Sequence, residues 1–174
     1  MSQFILLYST KDGHTLDICN RLKPIIESHD HQVVLKDLDV FNENLEEFDS
    51  IIIGASIHYG KHHRRVYDFI KKNQKILEAR PNAFFSVNVV ARKPEKNKPD
   101  TNPYLKKFLR QISWKPQELA VFAGKIDYQR YRFLDRQMIR MIMWITSGPT
   151  DINTVVEFTD WQQVEAFGHH VAKK

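Results

Sequence analysis

The chain has 174 residues, a net charge of +5, 42% hydrophobic residues and one cysteine, which excludes an internal disulfide and leaves enough length for one domain with a proper core. No apolar run reaches the about 18 residues of a bilayer-spanning helix. The opening run Phe4–Tyr8 is too short for a secretory leader, so none is expected.

In chain order, the first predicted element is a strand over Phe4–Tyr8, apolar throughout as a strand buried on both faces should be. Ser9-Thr10-Lys11-Asp12-Gly13-His14-Thr15 follows it directly and opens a predicted helix over Thr15–Ser28. Short hydroxyl side chains and a glycine at a strand-to-helix turn let the backbone wrap an oxyanion at the positive end of the helix. The spacing is neither the three-glycine dinucleotide loop nor a nucleoside-triphosphate loop, and a turn that merely caps a helix is the competing reading. Within the helix, Cys19 sits among Ile18, Leu22, Ile25 and Ile26, at the spacing of a packed residue rather than a nucleophile.

Further strands are predicted at Val33–Leu35, Ile51–Ala55, Ala83–Val90 and Leu119–Ala123, with helices at Arg64–Leu77, Asn102–Ile112 and Trp161–Ala172, the last capped by Asp160. Five strands alternating with helices predict a doubly wound α/β sheet, whose ligands lie outside the carboxyl ends of the strands. Two more loops leave those ends. Ser56-Ile57-His58-Tyr59-Gly60-Lys61, after Ala55, offers an aromatic ring for stacking beside a permissive glycine. Ser86-Val87-Asn88-Val89-Val90-Ala91-Arg92-Lys93 offers backbone amides and a cation. The first loop's S/T-x-x-G-x-T pattern directly after the first strand resembles the phosphate loop for flavin mononucleotide (FMN) in flavodoxin-like proteins, and two further loops converging on the same edge strengthen that expectation.

The segment 124–150 is extra to such a sheet and precedes a strand-like run at Val155–Phe158. Leu134, Met138, Met141, Ile142 and Ile145 fall on one helical face, with Arg132, Arg136 and Arg140 in a stripe on another and Phe133, Met143 and Trp144 widening the apolar surface. Ser147-Gly148-Pro149 ends the helix. Burying five such side chains yields about 10 kcal/mol gross at about 2 kcal/mol each, equally available from a core, a partner or a bilayer surface. About 15 helical residues rise only about 22 Å, against about 30 Å of hydrocarbon, so the segment is not expected to cross a membrane; lying on one and packing against its own sheet stay open. Charge bears on the choice: between Arg92 and Arg140, 13 Lys and Arg stand against 5 Asp and Glu, a local +8, which favours an anionic partner.

Among the histidines, His58 and His62 are four apart but have Gly60 between them and no carboxylate at suitable spacing, so no metal is expected. His62-His63 and His169-His170 read as solvent-exposed pairs. No catalytic triad is legible.

Three stretches, Ser9–Thr15, Ile53-Gly54-Ala55-Ser56-Ile57-His58-Tyr59-Gly60 and Ser86-Val87-Asn88-Val89-Val90-Ala91-Arg92-Lys93-Pro94-Glu95-Lys96, resemble the bacterial flavodoxin-like protoporphyrinogen oxidases, the quinone-dependent protoporphyrinogen IX dehydrogenases of haem synthesis. Tyr128-Gln129-Arg130-Tyr131-Arg132 and Thr159-Asp160-Trp161 extend the similarity over nearly the whole chain. The resemblance implies a single flavodoxin-like domain over 1–174, a five-stranded parallel sheet of order 2-1-3-4-5, and a basic amphipathic insert at 124–150 that interrupts the last strand region. It implies FMN held by Ser9–Thr15, with Ala55–Gly60 and Ser86–Arg92 around its ring. It also implies oxidation of protoporphyrinogen IX with electrons passed to menaquinone or ubiquinone on the cytoplasmic face of the inner membrane. Arg92, Lys93, Arg130 and Arg132 are the cations expected at the substrate propionates, and Arg136, Arg140, Met143 and Trp144 are expected at the membrane or quinone.

His58 departs from the family, where a permanently cationic residue is expected, and its titration near pH 6.5 would follow if it touches flavin or substrate. No side chain stands out as an obligatory base. An electron-carrier flavodoxin and an NAD(P)H:quinone oxidoreductase remain open as alternatives, and a homo-oligomer is left open as well. A nucleic-acid surface ranks last, because Met and Ile follow the Tyr128–Phe133 aromatics where polar contacts would be needed.

Overall fold

The computed structural model describes residues 1–174. The unbroken apolar runs become the interior of a parallel sheet. β1 (Gln3–Ser9) has β2 (Gln32–Asp37) on one side and β3 (Ser50–His58) on the other. Beyond β3 lie β5 (Asn82–Asn88) and β6 (Glu118–Ala123), giving β2-β1-β3-β5-β6, with the two-residue β4 (Lys61–His62) folded back antiparallel on β3. Without β4 this is the expected order 2-1-3-4-5.

Alternate residues of each strand feed opposite layers. Ile5, Leu7, Ile51, Ile53 and Phe84 pack with Val66, Ile70 and Leu77 of α2 (Arg64–Ala79) and with Leu105 and Phe108 of α3 (Pro103–Gln111). Phe4, Leu6, Ile52 and Phe85 pack with Ile18, Cys19 and Leu22 of α1 (His14–Glu27). Phe167 and Val171 of α5 (Trp161–Val171) complete that layer, and Asp160 caps α5 by accepting from the N–H groups of Gln162 and Gln163. Cys19 is fully buried, and burial pushes its thiol pKa up, which makes it inert.

Two boundaries differ from the sequence reading. The strand expected over Ala83–Val90 ends at Asn88, because the Asn88 carboxamide accepts from the Ala91 N–H (3.1 Å) and turns Val89–Arg92 into a short 3₁₀ helix. The extra segment does not interrupt a strand of the sheet: β6 pairs with β5 along its whole length, and the insert follows it. Nor does Val155–Phe158 rejoin the sheet. β8 (Val155–Glu157) pairs antiparallel with β7 (Lys125–Asp127) in a separate two-stranded ribbon, and α4 (Phe133–Ile145) is the excursion between them.

Candidate functional site

The carboxyl ends of β1, β3 and β5 deliver the three loops to one edge of the sheet, where they line a cavity of about 150 Å³. Thr10, Asp12, His14 and Thr15 come from the first loop, Ser56–Gly60 from the second and Val87–Val90 from the third.

In the first loop Gly13 takes the left-handed conformation (φ 88°), with open space where a Cβ would stand. No side chain caps α1, so its first N–H groups are left without side-chain acceptors, and His14 and Thr15 of this first turn line the cavity. Thr10 Oγ1 accepts from the Gly13 N–H (3.0 Å) and locks the turn. Two buried polar atoms here have no partner, Thr15 Oγ1 and His14 Nδ1. Thr159 donates its hydroxyl proton to the Ala123 carbonyl (2.8 Å), so His14 Nε2 is the donor to Thr159 Oγ1 (2.6 Å). This fixes the tautomer and leaves His14 Nδ1 as the bare nitrogen, 3.5 Å from the Asp17 carboxylate. Burial, the largest influence, lowers the His14 pKa. Burial also raises that of Asp12, against the opposing pull of Lys11 and His58.

The second loop is a two-residue hairpin between β3 and β4. Both central residues, Tyr59 (φ 49°) and Gly60 (φ 76°), have positive φ, the geometry of a type I′ turn. Glycine adopts it freely, whereas a tyrosine there is strained and is held 49% exposed at the mouth of the cavity. The His58 and Tyr59 rings lie 4.0 Å apart.

The third loop rests on buried amides. Asn102 Nδ2 donates to Asn88 Oδ1 (3.0 Å) and to the Lys96 carbonyl (2.9 Å), while Asn102 Oδ1 accepts from the Tyr104 and Leu105 N–H groups at the start of α3. Asn88 Nδ2 reaches Ser86 Oγ (3.3 Å), which also meets His62 Nε2 (3.0 Å). His62 is 1% exposed, contrary to the expected solvent-exposed pair with His63. β4 folds it against Phe84 and Phe108, and burial lowers its pKa to about 3.

The insert closes the remaining side. Ile139 and Met143 of α4 pack with Ile126, Tyr128, Val89, Tyr131 and Phe158, and Ile139, Ile142 and Met143 line the cavity. Lys11 ties the pieces together. Its ammonium lies 3.2 Å from Asp135 of α4, donates to His58 Nε2 (2.6 Å), and stands 5.7 Å from the Tyr59 ring centre. Burial first, and Lys11 second, lower the His58 pKa, so its titration lies below the 6.5 expected from sequence.

Several expected roles change. Met143 is 2% exposed and belongs to the insert's own core, not to a membrane surface. Arg136 donates to the carbonyls of Tyr128 (2.9 Å) and Tyr131 (3.3 Å), so its charge braces the turn before α4. Arg92 does not line the cavity: it donates to the Val89 and Thr146 carbonyls and to Thr146 Oγ1, and lies over the Phe158 ring, clamping the end of α4 to the sheet edge. Ala55, Ser86 and Ala91 are buried and stay out of the cavity, as do Ser9, Lys11 and Gly13. Arg130, Arg132, Arg140 and Trp144 are exposed, and Lys93 is half-buried. Of these, Arg130 pairs with Asp127 (3.5 Å). Tyr104, Gly124, Lys125, Tyr131, Ile139 and Ile142 line the cavity without having been selected from sequence. Apart from Tyr131, which lies in the Tyr128–Arg132 stretch, no local motif marks them, since α3, the ribbon and α4 reach this edge only through tertiary packing.

The flavodoxin domain family matches residues 5–153. Protoporphyrinogen IX dehydrogenase [quinone] of Escherichia coli K12 is 42% identical over 97% of this chain and 93% of its own length. The protein of the same name from Leishmania major is 40% identical over 97% of this chain and 74% of its own. Among solved structures, two-electron reduced Megasphaera elsdenii flavodoxin superposes with a TM-score of 0.61 at 11% identity, covering 98% of this chain and 99% of that one. Oxidised flavodoxin 2 of Bacillus cereus gives 0.58 at 16% identity over 99% of both chains. These two establish the fold, and the sequence relatives establish more: the chain belongs to the protoporphyrinogen IX dehydrogenase [quinone] family of flavodoxin-domain oxidoreductases.

Proposed function

We propose that the chain is an FMN-dependent protoporphyrinogen IX dehydrogenase that passes electrons to a membrane quinone such as menaquinone or ubiquinone. The observation that carries the reading is 42% identity along 97% of the chain to proteins so named, in a chain whose three loops line one cavity at the carboxyl edge of the sheet. The orphaned Thr15 Oγ1, the left-handed Gly13 and the uncapped start of α1 suit the FMN phosphate. Tyr59 offers a ring face for stacking, and the Val89–Arg92 turn, fixed by Asn88, presents backbone beside the ring position. FMN, when bound, supplies the two-electron redox chemistry.

The chain's own residues bind, orient and exclude water. Ile139, Ile142, Met143 and Tyr131 give the cavity an apolar wall suited to a macrocycle. Lys125 at its rim and Arg130 and Arg132 nearby supply cations for propionates. A carrier flavodoxin has no use for that wall or for the insert, which disfavours the first alternative. We place the protein at an inner-membrane surface, facing the cytoplasm: no helix is long and apolar enough to cross a membrane, while α4 exposes Phe133, Leu134, Met141, Trp144 and Ile145 together with the exposed Arg132 and Arg140.

The decisive assay follows porphyrin fluorescence anaerobically, using protein whose visible spectrum shows FMN. Fluorescence is expected to rise with menaquinone present and to stay near baseline without it, because forming the porphyrin removes six electrons and one flavin accepts only two. Porphyrinogen left unoxidised by the flavin-loaded protein with menaquinone present would refute the assignment. Rapid anaerobic bleaching by NADPH would instead favour an NAD(P)H:quinone oxidoreductase.

A further inference from the structure

The apolar face expected from sequence on the insert is present, but it faces outward. Leu134 is 78% exposed, Ile145 66%, Met141 54%, Met138 42% and Ile142 38%. The side of α4 that packs inward is a different one, built from Ile139 and Met143. At 100° per residue, Leu134, Met138, Met141 and Ile145 form the outer stripe and Ile142 stands at its edge. Asp135 falls between Ile142 and Ile139 in projection but sits about two turns before Ile142 along the helix, so at the level of Ile142 the apolar surface passes directly to Ile139. Ile142 therefore belongs to both surfaces, an exposed side chain that also lines the cavity. The one acid near this edge, Asp135, is held by Lys11 at 3.2 Å. Arg140, Gln137 and Trp144 fall on the far side of the helix, around a separate shallow depression.

We propose that this stripe is the track of the prenyl tail of the quinone, with Ile142 as the threshold over which the quinone ring reaches the cavity. The proposal rests on the function assigned above and adds where the acceptor binds. A quinone couples a small, neutral redox ring to a long hydrocarbon chain. Its site therefore needs an apolar surface that runs into the redox cavity, and the Ile142 edge of the insert offers one beside the neutralised Asp135–Lys11 pair. The propionates of a porphyrinogen need cations, and these lie elsewhere, at Lys125, Arg130 and Arg132. Each quinone takes two electrons and two protons that originate in the porphyrinogen and leaves as the quinol, so that three quinones are reduced per porphyrin formed.

The test replaces outer-stripe residues that do not line the cavity, Met138→Glu and Leu134→Glu, singly and together, in the FMN-loaded full chain in detergent solution. For a long-tailed menaquinone, KM is expected to rise about tenfold or more in the double variant. KM for a tail-less quinone and for protoporphyrinogen should stay at wild-type values. A photoreactive prenylated quinone should label α4 in the wild type, and less in the double variant. Equal losses with tailed and tail-less quinones, or unchanged KM for both, would overturn the proposal. So would variants that lower vesicle binding yet leave the detergent KM for the tailed quinone intact, because the stripe would then contact lipid only. Failure of the underlying assignment looks different: the wild type itself would turn over no quinone at all.

Discussion

At the scale of single residues, the site is held by polar groups whose surroundings decide their state. His62 is the sharpest case, packed on Phe84 and Phe108 with its pKa lowered to about 3 by burial. In the unfolded chain the same ring titrates near 6.5, so below that pH the unfolded state binds a proton that the folded state refuses. The neutral histidine's contribution is fully present above about pH 6.5 and is lost as the pH falls toward 3, at roughly 1 kcal/mol per unit. Denaturant unfolding at pH 7 and pH 4.5 is expected to show a smaller drop for His62→Gln than for the wild type. An identical drop would mean that His62 is not the titrating group. His58 shares the direction but not the depth: it lies nearer the surface, and Lys11 adds to the effect of burial. Gly54 has a different rationale, since a Cβ there would stand 2.1 Å from the Phe85 ring, which fills the layer under α1.

At the scale of elements, α4 shows how an end is built. Ser147, not Gly148, takes the left-handed position (φ 57°). Its N–H bonds to the Trp144 carbonyl (3.4 Å) and that of Gly148 to the Met143 carbonyl (2.7 Å), the paired bonds of a Schellman end. Gly148 is needed for space, because a Cβ would meet Met143 Sδ at 2.6 Å and Arg92 Nη2 at 3.1 Å. Relieving the left-handed serine by Ser147→Gly is therefore expected to stabilise the chain by about 1 kcal/mol, read as a higher denaturant midpoint with an unchanged slope. Gly148→Ala should do the opposite. The sequence did mark this end, through Ser147-Gly148-Pro149, but not which residue bears the unusual φ. Sequence spacing likewise drew the apolar face of α4 correctly and left its direction open. Helical periodicity groups side chains without saying which group meets the protein; here Ile139 and Met143 do.

At the scale of the whole molecule, the charge of +5 is concentrated beside the insert, and the exposed apolar stripe lies within that basic region. The protein is accordingly expected to sediment with vesicles containing anionic phospholipid and to be released as salt rises past about 0.5 M, where screening shortens to a few ångströms. Binding to neutral vesicles should be markedly weaker. Equal binding to neutral and anionic vesicles would leave the basic segment without that role.

The sequence by itself determined the doubly wound sheet and the edge where the loops converge, because strands buried on both faces must be continuously apolar and parallel strands require intervening helices; its strand order came only through the family resemblance. It also marked the phosphate-type turn, whose geometry depends on residues within one short segment. Tertiary structure alone decided the rest. It placed Tyr104, Lys125, Tyr131 and Ile142 at the cavity, spent Arg92 and Arg136 on backbone carbonyls and buried His62 and Met143. It also turned the insert's apolar stripe outward. Each of these depends on contacts between residues far apart in the chain, and local spacing carries no record of which distant partner will satisfy a charge or cover a face.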